Sequence, residues 1–193
     1  MSSEDYFRLK SKTVLSDQWG ELSRYEFDLK TRSGAWQSQR REAYDRGNGV
    51  ACLLHDPKAD TVLLIRQFRL PAAVNGHGGF LIEVPAGMLD GAEPEQRMRE
   101  ELEEETGYRV STLSHLSDIF MSPGSVTEYI SFYRGTYSRA DRAGPGGGNS
   151  GEGEDIEVLH VPFDDAMAMV ATGKIRDAKT IILLQHLALE RAP

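Results

Sequence analysis

Glu101, Glu104 and Glu105 stand within five positions of one another in the run Glu100-Glu-Leu-Glu-Glu-Glu-Thr-Gly-Tyr108. On a helix turning about 100° per residue, Glu105 lies about 40° to one side of Glu101 and Glu104 about 60° to the other. Glu100 and Glu103 point to the flank and the back. Like charges at i, i+4 destabilise a bare helix by roughly a few tenths of a kcal/mol each, so the pattern calls for a positive partner. Three convergent oxygen donors suit a hard divalent cation, Mg²⁺ or Mn²⁺, better than zinc, which favours nitrogen and sulfur. A Glu-rich helix is ordinarily only a solvated face. Here its punctuation argues for more: an apolar run Phe80–Val84 and a turn Pro85-Ala-Gly87 precede it, and Thr106-Gly107 stops it.

The elements that must position these carboxylates follow from apolar periodicity. Residues Thr13–Arg46 alternate as an antiparallel sheet, with Tyr25, Phe27 and Leu29 on one face and a turn at Arg32-Ser-Gly-Ala35. So short a segment offers little to cover that face. Val50–Leu54 and Thr61–Ile65 read as buried strands joined by a turn at His55–Asp60. Pro71–Gly79 reads as a loop, Phe80–Val84 as a strand and Pro94–Thr106 as the acidic helix. Leu113–Phe120, Glu128–Tyr137 and Ile156–Val161 are further strands. Ser138–Asp155, crowded with glycine, reads as a flexible surface loop carrying Glu152 and Glu154, a place where lids and bases are often put. Asp164–Ala171 and Lys179–Arg191 finish as helices, the last with Asp177 as N-cap. No internal repeat is present.

A chain of 193 residues is one domain, or one domain with a small appendage, and can bury a proper core. A net charge of −8 argues against duplex nucleic acid as a partner. Small phosphorylated ligands remain open, because bound cations invert the local sign. The single cysteine, Cys52, forbids an internal disulfide and reads as a buried, inert thiol. No apolar stretch reaches a membrane span and the N-terminus is polar, so a cytoplasmic protein without membrane partners is expected. His55, His77, His115, His160 and His186 form no metal-spacing pair. The glycine-rich stretch is not a P-loop, since no Gly-Lys-Ser/Thr follows it.

The segment Gly87–Tyr108 resembles the Nudix box, G-x5-E-x7-R-E-U-x-E-E-x-G-U. The C-terminal half, Glu101–Tyr108, fits without a gap. Two departures stand out: six residues rather than seven separate Glu93 from Glu100, and Glu100 fills the arginine position. Arg97 or Arg99 must then steady the carboxylates. The whole chain resembles the branch that cleaves nucleoside diphosphate sugars, the GDP-mannose hydrolases and the ADP-ribose pyrophosphatases. The runs that carry this are Tyr44–Gly49, Ile65–Arg69, Val74–Gly76, Met121–Gly124 with Thr127-Glu128, Glu152–Ile156, Ile175–Asp177 and Lys179-Thr180.

The resemblance implies an α/β fold, an α/β/α sandwich around a mixed sheet, with an N-terminal antiparallel sheet. It implies a division into residues 1–46, exchanged between subunits of a homodimer, and a catalytic domain 47–193, with the substrate site shared across the interface. It makes Glu101 and Glu105 the main metal ligands, Glu104 supporting, with the Ala86 carbonyl as a further ligand. Glu152 or Glu154 becomes the general base, and Glu154 can serve a metal instead. Arg66 and Arg69 become candidates for the diphosphate, although Arg66 reads equally well as a surface ion-pair residue. Arg41 and Glu42 would reach the partner's nucleotide, Glu128 would line the site, and Glu83 would orient a metal-bound water.

The implied activity is metal-dependent hydrolysis of a nucleoside diphosphate sugar, with GDP-mannose first and ADP-ribose second. A non-catalytic nucleotide-sugar sensor is the reading from another class; the presence of all the box glutamates weighs against it.

Overall fold

The computed structural model describes residues 5–191 and, at Glu152, the main chain alone. It divides into two compact units: the segment up to Asn48 with Ser122–Tyr129, and Gly49–Met121 with Ile130 onward.

In the first unit, β1 (Phe7–Ser16), β2 (Glu21–Lys30) and β3 (Trp36–Asp45) form an antiparallel sheet in the order β1-β2-β3. The expected antiparallel sheet is present and begins six residues earlier than Thr13, but burial does not alternate along its strands. Gly34, at φ +87°, makes the β2–β3 turn, where the Thr31 N–H reaches the Ala35 carbonyl at 2.8 Å. Every residue of β1 is exposed, including Phe7, Leu9, Val14 and Leu15. Within this unit Tyr44 bridges to Val126, and Arg46 pairs with Glu128 at 3.1 Å.

In the second unit, seven strands among the described residues form a mixed sheet. These are β4 (Gly49–Asp56), β5 (Thr61–Phe68), β6 (Phe80–Glu83), β7 (Ala86–Met88), β8 (Leu113–Phe120), β9 (Tyr129–Thr136) and β10 (Glu157–Pro162). The path runs β10-β5-β4-β9-β8, with β6 on β5 and β7 on β4; β4 and β9 are parallel. Strand β4 shows why there are two cores. Its Val50, Cys52 and Leu54 pack with Met98, Leu102 and Tyr108 on one face. Its Ala51 and Leu53 pack with Phe163, Leu183 and Leu184 on the other. Two-sided burial needs a continuous apolar strand, and each large side chain buried contributes about 1.5–3 kcal/mol. The acidic helix covers the first face. Helices α3 (Phe163–Ala171) and α4 (Ala178–Arg191) cover the second. Asp177 caps α4 as expected, accepting from the Thr180 N–H at 2.9 Å. Cys52 is fully buried, and desolvation pushes its thiol far above the usual range.

Four further expectations need correction. The turn at Pro85-Ala-Gly87 does not form, because strand β7 begins at Ala86. The Pro71–Gly79 loop contains a short helix, α1 (Leu70–Val74), because Pro71 at a helix start costs no hydrogen bond. The acidic helix is not α-helical to its end: α2 (Pro94–Glu101) passes into a π-helical turn over Leu102–Thr106. The glycine-rich segment is not a free surface loop. The Gly147 N–H bonds the Glu105 carbonyl at 2.8 Å, the Gly148 N–H the Glu104 carbonyl at 3.1 Å, and the Ala143 N–H the Gly107 carbonyl at 2.7 Å. The segment thereby satisfies carbonyls that the helix end leaves open. No helix among the described residues is long and apolar enough to cross a membrane.

Candidate active site

The site is built where β7 meets the acidic helix. Pro85 ends β6, and its carbonyl accepts the Cys52 N–H at 3.0 Å, so the chain enters β7 pinned to β4. Strand β7 pairs with β4 from Ala51↔Ala86 to Gly49↔Met88. Pro94 opens α2, Met98 and Leu102 bury its inner side, and Gly107 closes the π turn at φ +78°. π turns inside helices recur at functional sites. This one leaves Glu101 and Glu105 buried, and Glu103 and Glu104 half-buried.

Glu105 is 2% exposed and accepts the Ala86 N–H at 3.0 Å. Burial first, then the charge of Glu101 and further the charge of Glu154, hold its pKa well above the usual carboxylate range. The Ala86 N–H and Arg69 oppose this without overcoming it. Glu101 lies against the Cα of Gly87, where a side chain would collide with its carboxylate. Its Oε1 is gripped by Arg97, whose Nε also donates to the Met88 carbonyl at 2.9 Å. Arg99 turns away, to the Val110 carbonyl at 2.5 Å and Glu95 at 2.7 Å. Glu103 pairs with Arg109 on the outside at 2.5 Å.

Glu154 is half-buried and accepts the Asn149 N–H at 2.9 Å. Its loop sits where glycine is required. A Cβ at Gly146, which has φ +65°, would fall 2.5 Å from the Thr106 carbonyl carbon. The Glu152 side chain lies outside the described part of the structure.

Two sets of assigned residues are held by each other. Arg69 donates twice to Glu83, at 2.9 and 3.0 Å, and Lys179 reaches the same carboxylate at 2.5 Å. Burial alone would raise the Glu83 pKa; Lys179 and Arg69 outweigh it and hold it at about 2. Sequence reasoning gave Lys179 no role; the Asp177-Ala-Lys179-Thr180 run was its one local signal, since its partner lies 96 residues away. Arg66 pairs with Glu157 at 3.3 Å and lies 4.4 Å from the centre of the Phe80 ring, the surface ion-pair alternative. Arg41, Glu42 and Glu128 belong to the first unit. Arg41 donates to the Arg40 carbonyl at 2.8 Å and Glu42 lies 3.7 Å from Arg24.

The donor chemistry fits a hard divalent cation. It is all oxygen, it is anionic, and one carboxyl is disfavoured as an anion by the charges of two others. Among the described residues no group of three or more Asp, Glu, His or Cys side chains is arranged to hold a metal ion. Arg97, the Ala86 N–H and the Asn149 N–H each hold one carboxylate of the cluster instead.

Residues 6–44 match the GDP-mannose pyrophosphatase NudK N-terminal domain, and residues 45–184 match the NUDIX domain. A GDP-mannose pyrophosphatase of Pectobacterium atrosepticum is 49% identical over 176 residues, covering 91% of this chain and 90% of that protein. GDP-mannose pyrophosphatases of Escherichia coli O157:H7 and Shigella dysenteriae serotype 1 are each 49% identical over 177 residues, covering 91% of this chain and 92% of theirs. With the domain match spanning most of the chain and the carboxylates gathered at its box, this protein belongs to the Nudix family of hydrolases.

Proposed function

We propose that this chain hydrolyses the pyrophosphate bond of a nucleoside diphosphate sugar, GDP-mannose before ADP-ribose, with Mg²⁺ as the working cation and GMP and mannose 1-phosphate as products. The observation that carries the reading is the buried Glu105 carboxyl, set among Glu101, Glu154 and the Ala86 main chain. GDP-mannose is favoured because relatives about half identical along nine-tenths of the chain bear that activity in their names.

A pyrophosphate resists hydrolysis because its oxygens repel a nucleophile. The Ala86 carbonyl, Glu101 and Glu105, supported by Glu104 and Glu154, would hold the cation, which neutralises that charge when bound. Glu152 or Glu154 accepts a proton from the attacking water. The water oxygen bonds to one phosphorus as the bridging P–O bond breaks, and its electron pair leaves with the other phosphate. Arg69, fixed by Glu83, would serve the diphosphate, and Arg66 would add charge. The fully exposed β1, with four large apolar side chains uncovered, supports a homodimer in which residues 1–46 are exchanged. Arg41 and Glu42 would then reach the partner's nucleotide, and Glu128 would line the site.

The test is product release from GDP-mannose, ADP-ribose, GDP-glucose, UDP-glucose and NADH, with and without Mg²⁺. Metal-dependent cleavage led by GDP-mannose is expected. Preference for ADP-ribose would keep the mechanism and change the substrate. Binding without cleavage of any of them would sink the enzymatic reading.

A further inference from the structure

We propose that Arg97 is the positioning residue of the metal site, taking the part that Arg97 and Arg99 could both claim from sequence. The inference rests on the metal-site reading above and deepens it. One planar guanidinium makes two attachments at once. Its Nε donates to the Met88 carbonyl of β7 at 2.9 Å, and its NH2 grips Glu101 Oε1. On the solvent side NH1 lies 3.5 Å from Glu100. The helix and the strand it joins are the two elements that supply candidate ligands: Ala86 from β7, and Glu101 and Glu105 from the helix.

The geometry explains why position 97 serves. A residue four places before Glu101 lies about 40° from it around the helix, whereas position 100 points about 100° away. Arg99 is committed to the Val110 and Ser111 carbonyls and to Glu95, on another side of the helix. A planar guanidinium holds the carboxylate and the carbonyl in one fixed geometry, whereas a lysine ammonium can reach two acceptors but does not fix the angle between them. Arg97 thus sets the orientation of the Glu101 carboxylate and the spacing between helix and strand, without touching substrate.

Mn²⁺ binding to the full chain, read by the electron paramagnetic resonance of free Mn²⁺, tests this without turnover. Loss of a residue that orients a ligand typically weakens metal binding by about 10–100-fold. Arg97→Gln is expected to fall in that range, Arg97→Lys between it and wild type, and Arg99→Gln within about twofold of wild type. In a Glu101→Gln background, Arg97→Gln should add little, because it acts through Glu101. Metal-free thermal melts establish that each variant is folded. If Arg97→Gln does not fold, Arg97→Lys decides alone, and wild-type affinity in it overturns the proposal. Unchanged or tighter Mn²⁺ binding by folded Arg97→Gln also overturns it, as does equal weakening by Arg99→Gln. Wild-type protein that binds no Mn²⁺ would instead remove the metal-site reading itself, and this proposal with it.

Discussion

Gly87 and Glu101 touch in a way that only glycine permits: a Cβ at residue 87 would overlap the Glu101 carboxylate. Gly87 has no left-handed backbone, so its requirement is space and not conformation. Gly87→Ala must push Glu101 out of place or spread β7 from the helix. The expected result is at least a tenfold loss of kcat/KM and a stability cost of about 1–3 kcal/mol for overpacking. Steady-state kinetics with urea unfolding checks both. Full activity in the variant would show that Glu101 has no fixed position to lose.

Glu105→Gln separates catalysis from stability. Gln keeps an acceptor for the Ala86 N–H but removes a charge that burial and Glu101 oppose. We predict a drop in kcat of about 10²-fold or more, with a metal-free melting temperature equal to or above wild type. Activity within a few-fold of wild type would refute the ligand assignment.

The Glu83 clamp gives the fold an acid limit. Its folded pKa, about 2, lies below the ordinary carboxylate value of 4.5. A depressed acid contributes stability that is complete above its unfolded pKa. That contribution is lost as pH falls from about 4.5 toward about 2, to the extent of roughly 3 kcal/mol. Glu83→Gln leaves Arg69 and Lys179 without their shared anion and should cost about 3–5 kcal/mol at neutral pH. Its unfolding free energy should depend less on pH in that window. Identical pH slopes in urea denaturation of the two proteins would contradict the clamp.

Gly146→Ala should undock the glycine-rich segment. Its φ of +65° and the Thr106 main chain 2.5 Å from the added Cβ both oppose a side chain. Faster hydrogen exchange is expected at the Gly147, Gly148 and Ile156 amides, whose partners lie on Glu105, Glu104 and Gly147. The amides of β4 should keep their protection, and turnover should fall because Glu154 loses its place. Unaltered exchange at those three amides would show that the segment does not depend on glycine there.

Removing residues 1–46 tests the proposed dimer. Exposed Phe7, Leu9, Val14 and Leu15 need a cover if the wild-type chain is to avoid a large apolar surface. Light scattering should report a dimer for the full chain and a monomer without activity for the truncated one. A folded, active truncated monomer would remove the exchange proposal.

The residues show which of these features were legible in advance. The alternation in Thr13–Arg46, the unbroken apolar run at Val50–Leu54 and the carboxylates at 101, 104 and 105 are local periodicities. Each states the burial of its own element, so periodicity alone determined buried strands, an acidic helix beside Gly87 and two closing helices, while the mixed sheet between helical layers followed from the resemblance to the Nudix family. Asp177 as a cap was equally local. The tertiary structure decided what depends on partners distant along the chain. It chose Arg97 over Arg99 for Glu101 and placed Lys179 on Glu83. It also laid the glycine-rich segment on the helix end. No periodicity encodes these, because a guanidinium or an amide takes whichever acceptor the packed elements bring within about 3 Å. The π turn belongs with them: a helix of ordinary period was the fair reading of Pro94–Thr106. What the sequence could not supply was the docking of the glycine-rich segment on the carbonyls of Glu104, Glu105 and Gly107, where that turn ends.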